Sequence, residues 1–271
     1  MGGRWILGVS GILLLTAALA GEPTAMAAPS PVSSGWAALI ENDWYAGHYP
    51  DLPVGYINST RMLNMLIERE WPADHILLIR DSVDGRVLRR AVGWLADRVR
   101  PGDTALLYVA GEYSFFTRDL QWAEVLPPLW RRVQSSHRVL IAETCFAERL
   151  TSAVEKIPGI ALPATGRDEW DWWGLRETGG LMRGAIFTYY LTQALAAQPR
   201  NAPLAFGAAF ADAVANAQTH FRNVIAQTPG ALDSFHAIGQ FPERLPAYPN
   251  PHLTGSDAAP PGPVLAEASS P

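Results

Sequence analysis

The stretch Thr104-Ala105-Leu106-Leu107-Tyr108-Val109-Ala110-Gly111-Glu112 decides the fold. It follows the breaker Pro101-Gly102-Asp103, runs apolar without alternation, and stops at a glycine. An unalternating apolar run of this length reads as a strand covered on both faces, as in a parallel sheet flanked by helices. A second run, Arg138-Val139-Leu140-Ile141-Ala142, leads into Glu143-Thr144-Cys145. Between the two, Trp122 to Val133 reads as a helix interrupted near Pro127-Pro128.

The same alternation extends outward. Trp36 to Ile40 is a buried strand ending in the polar cluster Glu41-Asn42-Asp43. After a loop over Trp44 to Val54, a helical stretch from Ile57 to Glu70 places Met62, Leu63, Leu66 and Ile67 at helix spacing. His75 to Ile79 is the next strand, and Val87, Leu88, Ala91, Val92, Leu95 and Val99 form an amphipathic helix. Beyond Cys145 come a helix over Phe146 to Val154, a fifth strand over Ile157 to Pro163, and helices over Gly184 to Ala197 and Pro203 to Ala226. The fold class is therefore α/β: a doubly wound, mostly parallel sheet with helices on both faces. There is no internal repeat.

A chain of 271 residues with 48% hydrophobic and 17% charged residues can bury one full core. Its net charge of -5 excludes the electrostatic footprint of a nucleic-acid binder or a polybasic membrane patch, which leaves peptide or protein as the expected partner. Arg4, the apolar run Trp5 to Ala20 and the small-residue triplet Ala25-Met26-Ala27 read as a signal peptide over 1–27. The run of about 16 residues is short for a bilayer span, so cleavage after Ala27 is favoured over an uncleaved anchor. The protein is thus expected to be exported to a periplasmic, extracellular or cell-surface location, with membrane contact only if the segment stays uncut. Residues 28–35 read as a linker, 36–241 as the domain, and 242–271 as a disordered tail rich in Pro, Ala and Ser.

In an open parallel sheet, functional residues collect at the carboxyl ends of the strands. That rule gathers Asn42, Asp43, His48, Asp81, Gly111, Glu112, Glu143, Thr144 and Cys145 on one edge. Cys145 is the single cysteine, so it forms no intramolecular disulfide. A lone cysteine is in general a small buried hydrophobe. Its place between a strand end and a helix start, where N–H groups and the helix dipole favour a thiolate, points instead to an active-site position.

On these residues the sequence resembles the caspase, metacaspase and legumain group of cysteine peptidases. The segment ending Ala110-Gly111-Glu112 is similar to the strand that ends there in Gly-His-Gly or Ser-His-Gly. Ala142-Glu143-Thr144-Cys145 is similar to the next strand, ending in Asp-Ser-Cys or Glu-Ala-Cys. Order and gap match the catalytic His–Cys dyad, so the resemblance places Cys145 at the nucleophile position and Glu112 at that of the histidine. It extends from about Trp36 to Ala196. Ala164 to Trp170 resembles the loop after the following strand, and Gly184-Ala185-Ile186-Phe187-Thr188 the start of the next helix. The resemblance implies a caspase-like fold, with Gly111, Tyr113, Asp168 and Trp170 toward the substrate.

The departures fall on the site itself. Glu112 replaces the histidine, Tyr113 the following oxyanion-hole glycine, and Cys145-Phe146-Ala147-Glu148 lacks the glycine three residues after the nucleophile. A free thiol has a pKa of about 8.5 and needs a neighbouring base that remains as a cation. A carboxylate of pKa about 4.3 does the opposite, because like charge raises the thiol further. Losing the general acid–base alone costs about 10²–10⁴ in rate. Tyr113 keeps its backbone N–H, which leaves a partial oxyanion hole in prospect.

Among the histidines, His75 and His137 begin strands and belong to the opposite edge. His252 falls in the tail, and the sequence gives no position for His220 or His236. His48 alone lies on a loop at the correct edge, as an exposed loop residue or as a substitute base. Trp44-Tyr45 and Trp170-Asp171-Trp172-Trp173 either cover the core beneath long loops or form a binding surface, with Asp168, Glu169 and Asp171 able to select basic groups. No paired-His spacing, second cysteine or phosphate-binding loop occurs, so neither metal nor cofactor is expected.

Three readings follow. The first is an exported caspase- or legumain-like homologue impaired in catalysis, acting as a binding or regulatory pseudoenzyme. The second is an active cysteine endopeptidase using Cys145 with a displaced base such as His48. The third is an unrelated α/β hydrolase or binding domain.

Overall fold

The computed structural model describes residues 35–49, 51–52, 55–81, 84–171, 184–200, 202–220, 222–223 and 251–255. The expected signal peptide, nearly all of the linker, Trp172, Trp173 and His236 lie outside them, as does most of the expected tail.

The strands are β1 (Gly35–Glu41), β2 (Ile76–Arg80), β3 (Thr104–Ala110), β4 (His137–Glu143), β5 (Ile160–Pro163) and β6 (Thr254–Gly255). They form one sheet in the order β2-β1-β3-β4-β5-β6, in which the first five are parallel and β6 is antiparallel to β5. The helices are α1 (Ile57–Glu68), α2 (Gly85–Arg98), α3 (Trp122–Trp130), α4 (Ala147–Thr151), α5 (Ile186–Ala196) and α6 (Phe206–His220).

Successive strand residues feed opposite cores, as a pleated sheet covered twice requires. Ala38, Ile40, Leu107, Val109, Leu140 and Ala142 pack with α2, α3 and α4. Ala37, Leu39, Leu106, Tyr108, Val139 and Ile141 pack with α1, α5 and α6. This is the doubly wound α/β architecture read from the sequence. Strand order reverses between β1 and β3, where such sheets open a crevice at their carboxyl edge.

Several boundaries differ for identifiable reasons. Gly35 belongs to β1 rather than to the linker, since it pairs with Thr104 of β3, and Trp71 packs so close that a Cβ there would lie 2.3 Å from its ring. Helix α3 runs unbroken through Pro127 and Pro128. Trp122, Leu126 and Trp130 are buried on one face of it, and that burial outweighs the two missing N–H groups. Strand β5 begins only at Ile160, beyond Pro158, which has no N–H for a ladder. Residues 251–255 of the expected tail are not apart from the domain, since β6 pairs with β5 through Ile160↔Gly255 and Ala161↔Thr254.

Helix ends are tied to the sheet by buried polar side chains. Glu41, the last residue of β1, accepts the Ser59 N–H at 2.8 Å at the start of α1. Glu143, the last residue of β4, accepts the Thr188 N–H at 2.8 Å in the first turn of α5. A carboxyl oxygen at a helix N-terminus satisfies orphan backbone donors. Arg69, at the end of α1, donates to the carbonyls of Gln198 at 2.6 Å and Ala202 at 2.9 Å, and so joins α1 to the α5–α6 connection. Among the described residues, no helix is long and apolar enough to cross a membrane.

Candidate active site

The ends of β1, β3 and β4 are in register at Glu41↔Ala110↔Glu143. The chain therefore leaves the sheet at Gly111-Glu112 and at Thr144-Cys145 on the same edge. Gly111 has φ of +149°, and a Cβ on it would meet the Tyr45 hydroxyl at 2.6 Å and the Asn42 carbonyl at 3.0 Å. Only glycine fits there. The Tyr45 hydroxyl donates to the Asn42 carbonyl and accepts the Glu112 N–H at 2.7 Å, which locks the turn after β1 to the turn after β3.

Glu112 and Cys145 are close enough for the carboxylate to raise the thiol. Burial is the largest influence on Cys145 and pushes it well above its ordinary value; Asp171 pushes the same way, and so, more weakly, does Glu112. The Asp171 backbone N–H, donated to Sγ at 3.4 Å, opposes them. Burial also raises Glu112 itself. In neither protonation state does it supply the cation that a thiolate needs.

The helix that was expected to favour a thiolate does not do so. Helix α4 is only five residues long. The N–H groups that follow Cys145 are taken up by the segment after β5: Phe146 N–H by the Glu169 carbonyl at 2.8 Å, Ala147 N–H by the Thr165 hydroxyl at 2.8 Å, and Glu148 N–H by the Thr165 carbonyl at 3.2 Å. The Thr165 hydroxyl in turn donates to the Thr144 carbonyl at 3.0 Å. These donors are closed to a thiolate or an oxyanion.

Phe146 adopts the left-handed region with φ of 54°, which costs a non-glycine residue about 1–2 kcal/mol. Its ring meets Tyr113 at 5.3 Å and Trp170 at 5.2 Å between centroids. The Arg149 guanidinium lies 5.1 Å from its centre and pairs with Asp168. Tyr113, Trp170 and Asp168 thus gather around Phe146, the residue after Cys145, but Asp168 is already engaged by Arg149, and Trp170 is 43% exposed.

His48 is exposed in the turn after β1, its own N–H donating to the Tyr45 carbonyl at 3.0 Å. Among the described hydrogen bonds and ring contacts, none joins its imidazole to Cys145 or Glu112. His75 stacks on Trp36 at 3.5 Å just before β2, and His137 opens β4, both away from the site. His220, at the end of α6, lies 6.0 Å from the Tyr190 ring and is lowered by burial. His252 pairs with Glu148, Nδ1 to Oε1 at 2.9 Å, which ties β6 to the first turn of α4. Among the described residues, no group of three or more His, Cys, Asp or Glu side chains is arranged to hold a metal ion.

Thr165 and Asp171 are the residues that sequence reasoning missed as structural partners of Cys145. The strand-end rule applied to β5 would have found Thr165; Asp171 was weighed only as a selector of basic groups.

No protein-family model matches the chain, and no curated protein matches it. Among solved structures it is similar to caspase-1 from Spodoptera frugiperda, with 12% identity, 60% of this chain and 69% of that chain covered, and a TM-score of 0.40.

Proposed function

We propose that this chain is an exported caspase- and legumain-like cysteine peptidase homologue that has lost catalysis and acts as a binding or regulatory pseudoenzyme for peptide or protein partners. The observation that carries this reading is the environment of Cys145. Its thiol is raised by burial and flanked by Asp171 and Glu112, and the N–H groups that follow it are consumed by the 165–169 segment. Nucleophilic catalysis by a thiol requires a thiolate, a proton donor for the leaving amine and an oxyanion hole. The first two are impaired at Cys145, and the N–H groups that follow it are already engaged. No observation favours His48 as a displaced base, since its ring makes no described contact with the site.

The test is hydrolysis of a mixed peptide library by the mature protein, alongside Cys145→Ala and Glu112→His. No hydrolysis is expected from the natural chain, and Glu112→His is expected to gain none. A histidine replaces the base, but burial and Asp171 still raise the thiol, and the donors held by Thr165 and Glu169 remain engaged. Hydrolysis by the natural chain that Cys145→Ala abolishes would overturn the reading.

A further inference from the structure

Residues 251–255 lie on the domain in extended form. Pro251 is buried, Leu253 packs half-buried against the core that α1, α5 and α6 cover, and Thr254 and Gly255 pair antiparallel with β5. The pairing covers what would otherwise be an open edge of the sheet. His252 is fastened to α4 instead: its backbone N–H donates to Glu148 Oε1 at 2.7 Å, and its Nδ1 lies 2.9 Å from the same oxygen.

The other oxygen of Glu148 reaches a different segment. Oε2 accepts the Arg167 N–H at 3.1 Å. One carboxylate therefore accepts from residues 251–255 on one side and from residues 165–169 on the other. Residues 165–169 in turn take up the Phe146, Ala147 and Glu148 N–H groups, and two residues further on the Asp171 N–H is donated to Cys145 Sγ at 3.4 Å.

We propose that residues 251–255 act as a strap that, through Glu148, holds the 165–171 segment against Cys145, so that detaching the strap loosens the segment and exposes the half-buried thiol. These bonds stand whether or not the chain is a peptidase homologue. A glutamate side chain loses rotamer freedom when it is fixed, and the strap's contacts at Oε1 offset that cost before Arg167 contributes anything. Freed of the strap, the carboxylate turns to water and its bond to Arg167 weakens. Thr165 and Glu169 still grip the Cys145 turn, so the segment opens more often rather than coming away. The backbone N–H of His252 donates in either protonation state of the ring, so the tie does not depend on the imidazole's charge.

Gly255 is the position at which the strap can be detached without touching Glu148 or Cys145. It has φ of +86°, and a Cβ on it would lie 1.9 Å from the Gly159 carbonyl oxygen just before β5. A backbone oxygen cannot swing aside as a flexible side chain does, so alanine there breaks the pairing.

The rate of Cys145 alkylation by iodoacetamide at a single pH, measured on the full chain, tests the strap, together with hydrogen exchange over residues 146–148, 165–171 and 251–255. Gly255→Ala changes no charge and should raise the alkylation rate by about tenfold, roughly the worth of one hydrogen bond to a charged group, while protection falls over 165–171. Glu148→Gln keeps the side chain's shape, but its amide nitrogen cannot accept. It should act in the same direction, and it serves if Gly255→Ala does not fold. In the double variant the two effects should not add, because both pass through one side chain. An unchanged alkylation rate in either folded variant overturns the proposal. So does full additivity in the double variant, or an equal loss of protection across β3 and β4, which marks global unfolding.

Discussion

Thermal stability is expected to fall as the pH is raised from about 4 to 8, and Asp43→Asn should remove much of that fall. Asp43 follows β1, is 1% exposed, and accepts the Tyr56 N–H at 2.8 Å. Burial first, then Glu41, push its carboxyl from 3.8 up to about 7; the Tyr56 N–H opposes them, and Asp81 adds a smaller rise. A carboxyl that holds its proton more tightly folded than unfolded contributes stability that is fully present below the unfolded value. That contribution is lost as pH climbs through the folded one, here between about 4 and 7. A rise of about three pH units corresponds to about 4 kcal/mol, and solvent screening at the loop leaves roughly half. About 2 kcal/mol is about 4–8 °C in melting temperature for a domain of this size. Glu41, Glu112 and Glu143 are also raised by burial and act in the same direction. Asparagine keeps an oxygen for the Tyr56 N–H and does not titrate, so the variant should show a shallower slope over this window. A flat profile in the natural chain, or an equal slope in Asp43→Asn, would contradict this account of the acidic edge.

Thr165→Val is expected to lower the unfolding free energy by about 2–5 kcal/mol. Valine has nearly the volume of threonine but no hydroxyl, so the substitution tests the hydrogen bonds rather than the packing. Thr165 is fully buried; its hydroxyl accepts from Ala147 N–H and donates to the Thr144 carbonyl. Removing it leaves two buried backbone groups unpaired on either side of Cys145, at about 1–3 kcal/mol each. Urea unfolding should show a lower midpoint with an unchanged slope. A change below about 0.5 kcal/mol would mean that Thr165 does not hold the turn.

The contrast between fold and site has a physical origin. Strands β1, β3 and β4 were legible because a strand covered on both faces writes itself as an uninterrupted apolar run. Helix α3 was misjudged at Pro127-Pro128 because burial of Trp122, Leu126 and Trp130 comes from tertiary packing that no local propensity expresses. Strand β6 was invisible, since two residues carry no periodicity. At the site, the strand-end rule brought Glu112 and Cys145 to one edge, where the structure also has them. The same rule placed His48 on that edge without fixing its orientation, and the residue is exposed. The partners that close the turn, Thr165, Glu169 and Asp171, act largely through the conformation of an irregular segment, and backbone donors and acceptors leave no signature in residue type.

One consequence joins fold to chemistry. The residues on which the resemblance to cysteine peptidases rests, Gly111, Glu112 and Cys145, follow the ends of the neighbouring strands β3 and β4, on one edge of the sheet. Charge and donor supply set the chemistry of that edge. Carboxyl groups at Asp171 and Glu112 raise a thiol that catalysis would need as an anion, and the N–H groups that follow it are spent on holding the chain together.

The pH dependence of Cys145 alkylation by iodoacetamide in the folded protein tests the central claim most directly. An unactivated thiol predicts an apparent pKa above the ordinary value of about 8.5, with slow reaction at neutrality. An apparent pKa near 6 would mean that a cation has taken the place of the missing partner, and would contradict the pseudoenzyme.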